Sequence, residues 1–288
     1  MELSFYLIQL LNGIQYGFLL FLVTSGLTLV FGIMDVINLA HGSFYMIGAY
    51  LAFWLTGIFG NLFLGIILAI PLAILVGFVV EKLAISYVYT KGHLHQVLLT
   101  YALIMVFDEA QRFLWGNDSH GIDVPAILSG SIPLTDIQVY PVYRLFVSFV
   151  CIVIAAGMFF VIHKTKLGMT IRAGASNREM TQALGINIKT LFTIVFSLGV
   201  ALAAFAGMIA APIDSLYPGM GDNILIISLV VVVIGGIGSI KGAFVGAMII
   251  GVSSVFGETL FPDLASVIVY AMMSAILIWR PKGLFPAT

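Results

Sequence analysis

The stretch Leu62-Phe-Leu-Gly-Ile-Ile-Leu-Ala-Ile-Pro-Leu-Ala-Ile-Leu-Val-Gly-Phe-Val-Val80 carries no charged side chain. About 20 apolar residues in a row cross a bilayer as a helix, and this run sets the terms for the rest of the chain. Of 288 residues, 61% are hydrophobic and 9% charged, against about 45–50% and about 25% in a typical soluble domain. A soluble fold could not cover its surface with so few charges. A soluble enzyme and a disordered protein are excluded, and so is a nucleic-acid binder, which needs a basic face, since the net charge is −1. Outer-membrane strands alternate apolar and polar residues; solid runs such as this one point instead to an all-α, polytopic membrane protein. The single cysteine, Cys151, lies in another apolar run, so no disulfide forms within the chain. The start, Met1-Glu2-Leu3, lacks the basic region of a cleaved signal peptide, and the first apolar run is expected to be a retained span.

Further clear runs cover Leu7 to Phe31, Pro141 to Ile162, Leu191 to Ala211 and Leu264 to Trp279. Shorter ones cover Phe44 to Trp54, Val97 to Phe107, Ile224 to Ile234 and Ala243 to Phe256, lengths that suit re-entrant or broken segments as well as full spans. Nine segments are expected, within a range of eight to ten. If all nine cross, Lys82, Lys91, Lys164, Lys166, Arg172, Arg178, Lys189, Lys241, Arg280 and Lys282 share one side, and only Arg112 and Arg144 fall on the other. Basic loops face the cytoplasm, so the N-terminus is expected outside and the C-terminus inside. Asp118, Asp123, Asp136, Asp214, Asp222, Glu258 and Asp263 fall on the outer side. Two loops are long: an outer one, Trp115 to Tyr140, reading as a capped turn, and a polar, basic, helix-prone inner one at about 163–189.

Small residues mark close helix contacts in membranes. Gly199, Ala203, Gly207 and Ala211 share one helical face, as do Ala69, Ala73 and Gly77, and Gly13 and Gly17. Bundle packing is the ordinary reading of such faces; a dimer seam or moving gate is the alternative. His41-Gly42-Ser43-Phe44 echoes Lys241-Gly242-Ala243-Phe244, each tetrad opening a helix, both on the inner side under this alternation. Four loosely matching residues fit chance better than a repeat.

Catalytic motifs are absent. Gly235-Gly236-Ile237-Gly238 follows a β-branched run, but Lys241 stands where a dinucleotide fingerprint needs Gly, and Ile240 and Gly242 flank that lysine where a P-loop needs Gly and Ser or Thr. A glycine-rich helix end fits better. His93 and His95 make an H-x-H pair without neighbouring Cys or carboxylate ligands for a metal, and read as loop histidines on the inner face. Asp35, Asp108, Glu109 and Glu258 lie near segment ends, where charge is tolerated. The clear spans Leu62 to Val80, Leu191 to Ala211 and Leu264 to Trp279 hold no carboxylate for a proton relay, which points to an outside energy source.

Two longer stretches carry a family signature: Gly26-Leu-Thr-Leu-Val-Phe-Gly-Ile-Met-Asp-Val-Ile-Asn-Leu-Ala-His-Gly-Ser-Phe-Tyr-Met-Ile-Gly-Ala-Tyr50 and Gly168-Met-Thr-Ile-Arg-Ala-Gly-Ala-Ser-Asn-Arg-Glu-Met-Thr-Gln-Ala-Leu-Gly-Ile-Asn187. With Gly235 to Ser239 and the ending Arg280-Pro-Lys-Gly-Leu-Phe285, they resemble the permease subunits of branched-chain amino acid ABC importers, nearest to the LivH-like subunit, over about residues 10–285. The resemblance implies an ABC importer permease fold that pairs with a second homologous permease, two cytoplasmic ATPases and a periplasmic solute-binding protein. ATP and Mg would reside on the ATPases, and this chain itself would bind no cofactor. Pro286 stands where such chains commonly have Gly, a small departure.

By that resemblance the inner loop is the coupling segment that docks on the ATPase, with Gly168, Arg172, Ala173, Asn177, Glu179 and Gly185 as its residues. Arg172, Arg178 and Glu179 are expected on one short helical stretch closed by Gly185, which takes the left-handed conformation cheaply; Ala173, Met180, Ala183 and Leu184 would form its packed face. A basic loop held by anionic lipid is the alternative. The Val36-to-Gly42 block breaks the first apolar run, and non-helical backbone at that depth is tolerated where it is buried or lines a cavity. Asn38 and His41 are read either as a gate or as part of a turn in which Asn38 and Ser43 cap free backbone groups. Asn12, Gln15 and Thr100 are candidate path residues, with helix–helix hydrogen bonding as the other role.

The expectation is one transmembrane domain over residues 1–288 in a bacterial inner membrane, importing branched-chain or related amino acids. Relatives of such permeases also carry urea, amides or aromatic acids, and an ion-coupled secondary carrier or an intramembrane enzyme are the readings from other classes. No Arg–Asp pair able to clamp an amino acid's carboxylate and amine is visible.

Overall fold

A computed structural model describes residues 2–134 and 138–285, with side chains from Ser4 onward; Asp136 and Pro286 lie outside the described residues. The chain forms α1 (Glu2–Met34), α2 (His41–Phe59), α3 (Leu62–Leu83), α4 (His93–Trp115), α5 (Val142–Lys164), α6 (Lys166–Ser176), α7 (Arg178–Ala183), α8 (Ile188–Ala210), α9 (Met220–Gly235), α10 (Ile240–Leu260) and α11 (Ala265–Trp279). Each of the nine expected segments lies in its own helix. Among the described residues, seven helical stretches are long and apolar enough to cross a membrane, and α9, at 16 residues, is a shorter apolar one. The run read as Val97 to Phe107 extends to the 23 residues of α4 because polar His93, Gln96, Glu109 and Gln111 continue the helix at both ends. Phe44 to Trp54 likewise grows into the 19 residues of α2. The outer loop is more than a turn: β1 (Ser131–Pro133) pairs antiparallel with β2 (Val139–Pro141), Ile132 opposite Tyr140.

Local signals set the helix ends. Gly60, at φ +64°, ends α2, and Asn61 opens α3 by accepting from the Phe63 and Leu64 amides at 2.9 and 3.2 Å. Asn187 opens α8 through the Thr190 amide, and Ser239 opens α10 through the Gly242 amide, both at 3.1 Å. Each satisfies a donor that the first helical turn leaves free.

α1 and α8 form the centre, with 83% and 78% of their apolar spans buried, against 28% for α3, 22% for α5 and 6% for α11. The outer helices therefore turn apolar faces outward, as lipid requires, and the centre is held by backbone proximity. A Cβ on Gly26 of α1 would stand 2.5 Å from the Gly199 carbonyl oxygen of α8. Gly207 lies against the Tyr45 carbonyl of α2, Gly77 of α3 against Val200, and Gly13 and Gly17 against Val252 and Met248 of α10. All three small-residue faces read from the sequence are thus occupied inside the chain, as bundle packing requires, and offer no free seam to a second copy.

The loops gather by charge at the two ends. His120 of the long loop and Leu216 exchange both main-chain hydrogen bonds at 2.9 Å at the acidic end. At the basic end Leu284 and Phe285 donate to the Ile234 and Gly235 carbonyls at 2.8 and 2.9 Å, so the glycine-rich end of α9 receives the C-terminal stretch. Gly236 and Gly238 take positive φ there, +105° and +79°.

The Asp35–Ala40 stretch departs from a simple turn. His41 Nε2 lies 2.9 Å from the Val23 carbonyl oxygen, eleven residues before α1 ends and so about 16 Å back along its axis. The stretch therefore runs back into the bundle, with Val36, Asn38 and Ala40 buried, and α2 begins inside. This corrects the expectation that His41 and Lys241 share a level at the inner face. Gly42 packs against the Gly221 carbonyl at the start of α9, Gly242 against that of Gly235 at its end.

Candidate translocation path and coupling surface

Three places in this frame carry the candidate residues. The first is the retracing stretch. Ile37 donates its amide to Gln96 Oε1 of α4 at 3.2 Å. Thr100 donates its hydroxyl to the Gln96 carbonyl at 2.8 Å and faces the Ile37 carbonyl at 3.5 Å. Thr100 is thus a packing contact between α4 and the stretch. The capped-turn reading is corrected: Ala40 is the N-cap of α2 and no side chain caps the first turn. The Asn38 side-chain amide and His41 Nδ1 are buried and bond to no described residue. A buried polar group left unpaired costs about 1–3 kcal/mol, so the sequence holds Asn38 in place against a local penalty.

The second place is a cavity of about 450 Å³ open at the acidic end, between α1, α5, α9, α10 and the loop after α8. Asn12 and Gln15 of α1 line it together with Arg144, Asp214, Asn223 and Glu258. Arg144 Nη1 donates to Asn12 Oδ1 across 2.8 Å, and among the described residues it pairs with no carboxylate. Asn12 therefore joins α1 to α5 and lines the cavity. Gln15 is 3% exposed. Asp214 is exposed to the cavity; partial desolvation there raises its carboxyl above the ordinary range, and the Arg144 guanidinium pulls it back. Arg144 and Asp214, far apart in sequence, line one cavity.

The third place is the loop at the basic end. α6 folds back onto the end of α5: Thr165 caps it through the Gly168 amide at 3.2 Å. A Cβ on Gly168 would collide with the Val161 and Ile162 carbonyls, and Arg172 Nη1 donates to the Ile162 carbonyl. Gly168 and Arg172 thus hold the segment to its own span. The single expected helical stretch is two helices. Asn177 ends α6 and caps α7, accepting from the Met180 amide at 2.9 Å, because its extended backbone (φ −153°) cannot continue a helix. Gly185, at φ +86°, follows α7 as expected. Ala173, Glu179 and Ala183 are exposed, and Met180 and Leu184 are 60% and 76% exposed. The face expected to be packed is uncovered within this chain.

Glu81 escaped the sequence reading, because it follows an uncharged run and precedes Lys82 like an interfacial charge. It is 1% exposed at the end of α3. Tyr89 donates to its Oε1, and Thr193 of α8 to its Oε2 at 2.8 Å. Burial, and next the bond to Glu81, raise the Tyr89 phenol far above its ordinary range. Tyr89 meets Phe192 edge-on at 5.1 Å, and Arg178 of α7 lies 5.5 Å from the same ring. The buried carboxylate is thereby linked through two rings to the exposed segment. For Arg144 the signal was present: it is one of only two basic residues on the acidic side.

Residues 9–277 match the model of the family described as branched-chain amino acid transport system / permease component. The chain is 31% identical to the high-affinity branched-chain amino acid transport system permease protein BraD of Pseudomonas aeruginosa, over 98% of this chain and 96% of that one. It is 27% identical to the corresponding LivH of Escherichia coli, with the same shares. It is 28% identical to a probable branched-chain amino acid transport permease protein LivH of Methanocaldococcus jannaschii, over 95% and 90%. No solved structure matches the chain.

Proposed function

Because the chain belongs to the branched-chain amino acid transport system permease family, we propose that it is the membrane permease subunit of an ATP-binding-cassette importer for branched-chain amino acids. It works with a second homologous permease, two cytoplasmic ATPases and a periplasmic solute-binding protein, and leaves ATP hydrolysis to the ATPases. The basic end, with α6 and α7, faces the cytoplasm of a bacterial inner membrane; the acidic end, with the N-terminus, faces the periplasm.

The observation that supports this reading most is the uncovered face of α7 and its C-terminal turn. Met180 and Leu184 are exposed beside Glu179 on α7 and its C-terminal turn, directly after α6, which Arg172 ties to the end of α5. An element that transmits a push from outside must be firm on one side and open on the other. The test uses single cysteines at Met180 and Leu184, with the native Cys151 buried and silent. Each is expected to cross-link to the ATPase subunit in the assembled transporter, with a yield that changes when ATP is added. ATP-driven leucine uptake with neither cysteine cross-linking would remove the segment from coupling. Uptake that persists on an ion gradient with inactive ATPases would favour a secondary carrier.

A further inference from the structure

We propose that the cavity at the acidic end is a binding site for a zwitterionic α-amino acid with an apolar side chain, its carboxylate held by Arg144 and its ammonium group by Asp214 and Glu258. The inference rests on the importer reading and adds a site to it. The cavity, at about 450 Å³, falls within the range of about 300–1,000 Å³ for small-molecule sites. It holds one cation and two carboxylates. A lone anion would meet both carboxylates, and a lone amine would meet the guanidinium. A ligand carrying both charges satisfies all three groups, and charge-assisted bonds of this kind are the strong ones.

Two further observations point to a ligand. Arg144 pairs with no carboxylate among the described residues, and its hydrogen bond to Asn12 at 2.8 Å fixes the guanidinium while leaving donors free. Guanidinium has five donors in a planar fork suited to a carboxylate. Gln15 is 97% buried, lines the cavity and makes no side-chain hydrogen bond among the described residues. Leu19, Ile213, Ile224, Ile227 and Val255 give the wall aliphatic surface, beside polar groups from Tyr16, Tyr45, Ser215, Tyr217 and Asn223. The charged groups of both signs, together with the aliphatic surface, match an amino acid that carries both charges and an aliphatic side chain. Asn12 acts here as a positioning residue, through Arg144.

The test is equilibrium dialysis of labelled L-leucine against the assembled permease–ATPase complex in nanodiscs without the solute-binding protein, beside ATP-driven uptake with that protein present. Wild type is expected to bind leucine saturably. 4-Methylpentanoate, lacking the ammonium group, and isopentylamine, lacking the carboxylate, should each compete at least about tenfold more weakly. Arg144→Gln and Asp214→Asn should each weaken binding about tenfold to a hundredfold, as expected for losing one bond to a charged group. Arg144→Lys, which keeps the charge, should lose less, and an unchanged gel-filtration profile separates these losses from misfolding. The site is overturned if wild type shows no saturable binding, if both charge-removing variants bind as wild type does, or if isopentylamine competes as well as leucine. Leucine uptake alongside any of those results leaves the importer reading standing; no uptake by the wild-type assembly overturns that reading itself.

Discussion

Thr193 on α8 donates its hydroxyl to Glu81 Oε2 on α3 across 2.8 Å, in a place where Glu81 is 1% exposed. With Tyr89 on the other oxygen, the carboxylate joins α3, α8 and the turn between α3 and α4. Removing one donor from a buried charge costs about 1.5–3 kcal/mol. Thr193→Val is therefore expected to lower the unfolding temperature of the detergent-solubilised protein by several degrees. Glu81→Gln, which keeps the shape and one of the two acceptor oxygens, should lower it less than Glu81→Ala. Equal, negligible shifts for all three would show that the cluster does not hold the helices.

Arg178 and Phe192 link that cluster to α7 through a 5.5 Å contact between cation and ring. Such a contact is worth about 0.5–1 kcal/mol at an exposed site. Arg178→Gln and Phe192→Leu are expected to be non-additive by about that amount in a double-mutant cycle on thermal unfolding. Strict additivity would mean the side chains do not communicate.

Asp214 gives a pH signature. Partial desolvation raises its carboxyl in the folded protein above the ordinary value, with Arg144 partly offsetting the rise. The unfolded chain titrates near the ordinary value of about 3.9. Between the two values the folded state binds more protons, so stability falls as pH rises through that window and stays lower above it. Asp214→Asn is expected to unfold at a higher temperature than wild type at pH 7.5, with the gap closing as pH approaches 4. A gap that widens on acidification would reverse the assignment. A stabilised variant that binds substrate less well is a familiar trade-off at functional sites.

Gly185 ends α7 at φ +86° with no atom near the place a Cβ would occupy. Any cost of a side chain is then backbone strain, about 1–2 kcal/mol for an ordinary L-residue. Gly185→Asn should be tolerated better than Gly185→Val, read as the ratio of leucine taken up to ATP hydrolysed. An unchanged ratio for Gly185→Val would free the turn from any role in coupling.

Gly26 and Gly57 form a matched pair. A Cβ at Gly26 meets the Gly199 carbonyl oxygen at 2.5 Å, whereas one at Gly57 meets nothing within 4 Å. Gly26→Leu is expected to prevent accumulation of folded protein in the membrane and Gly57→Leu to leave it near wild type, by fluorescence-detected gel filtration.

The number of long helices and the sorting of basic from acidic loops were legible because lipid imposes uniform rules on length and charge. The small-residue faces were legible for the same reason. Three features were not. The Asp35–Ala40 stretch reads locally as a turn, and only the bond from His41 to Val23 shows that it retraces the bundle. Arg144 and Asp214 share a cavity only after α5 and the loop after α8 are placed, a relationship no spacing encodes. Asn177 splits the helical segment of the inner loop by its backbone conformation, although its residue type, a strong N-cap, carried the signal.

His120 and Leu216 join the two loops of the acidic end as a pair of strands would. The mechanical consequence is that the surface which would receive a docking protein and the wall that carries Asp214 are one piece. A load placed on the long loop near His120 is delivered, through two short main-chain bonds, to the segment that begins two residues beyond Asp214. The long loop and the wall that carries Asp214 are thereby tied to move together.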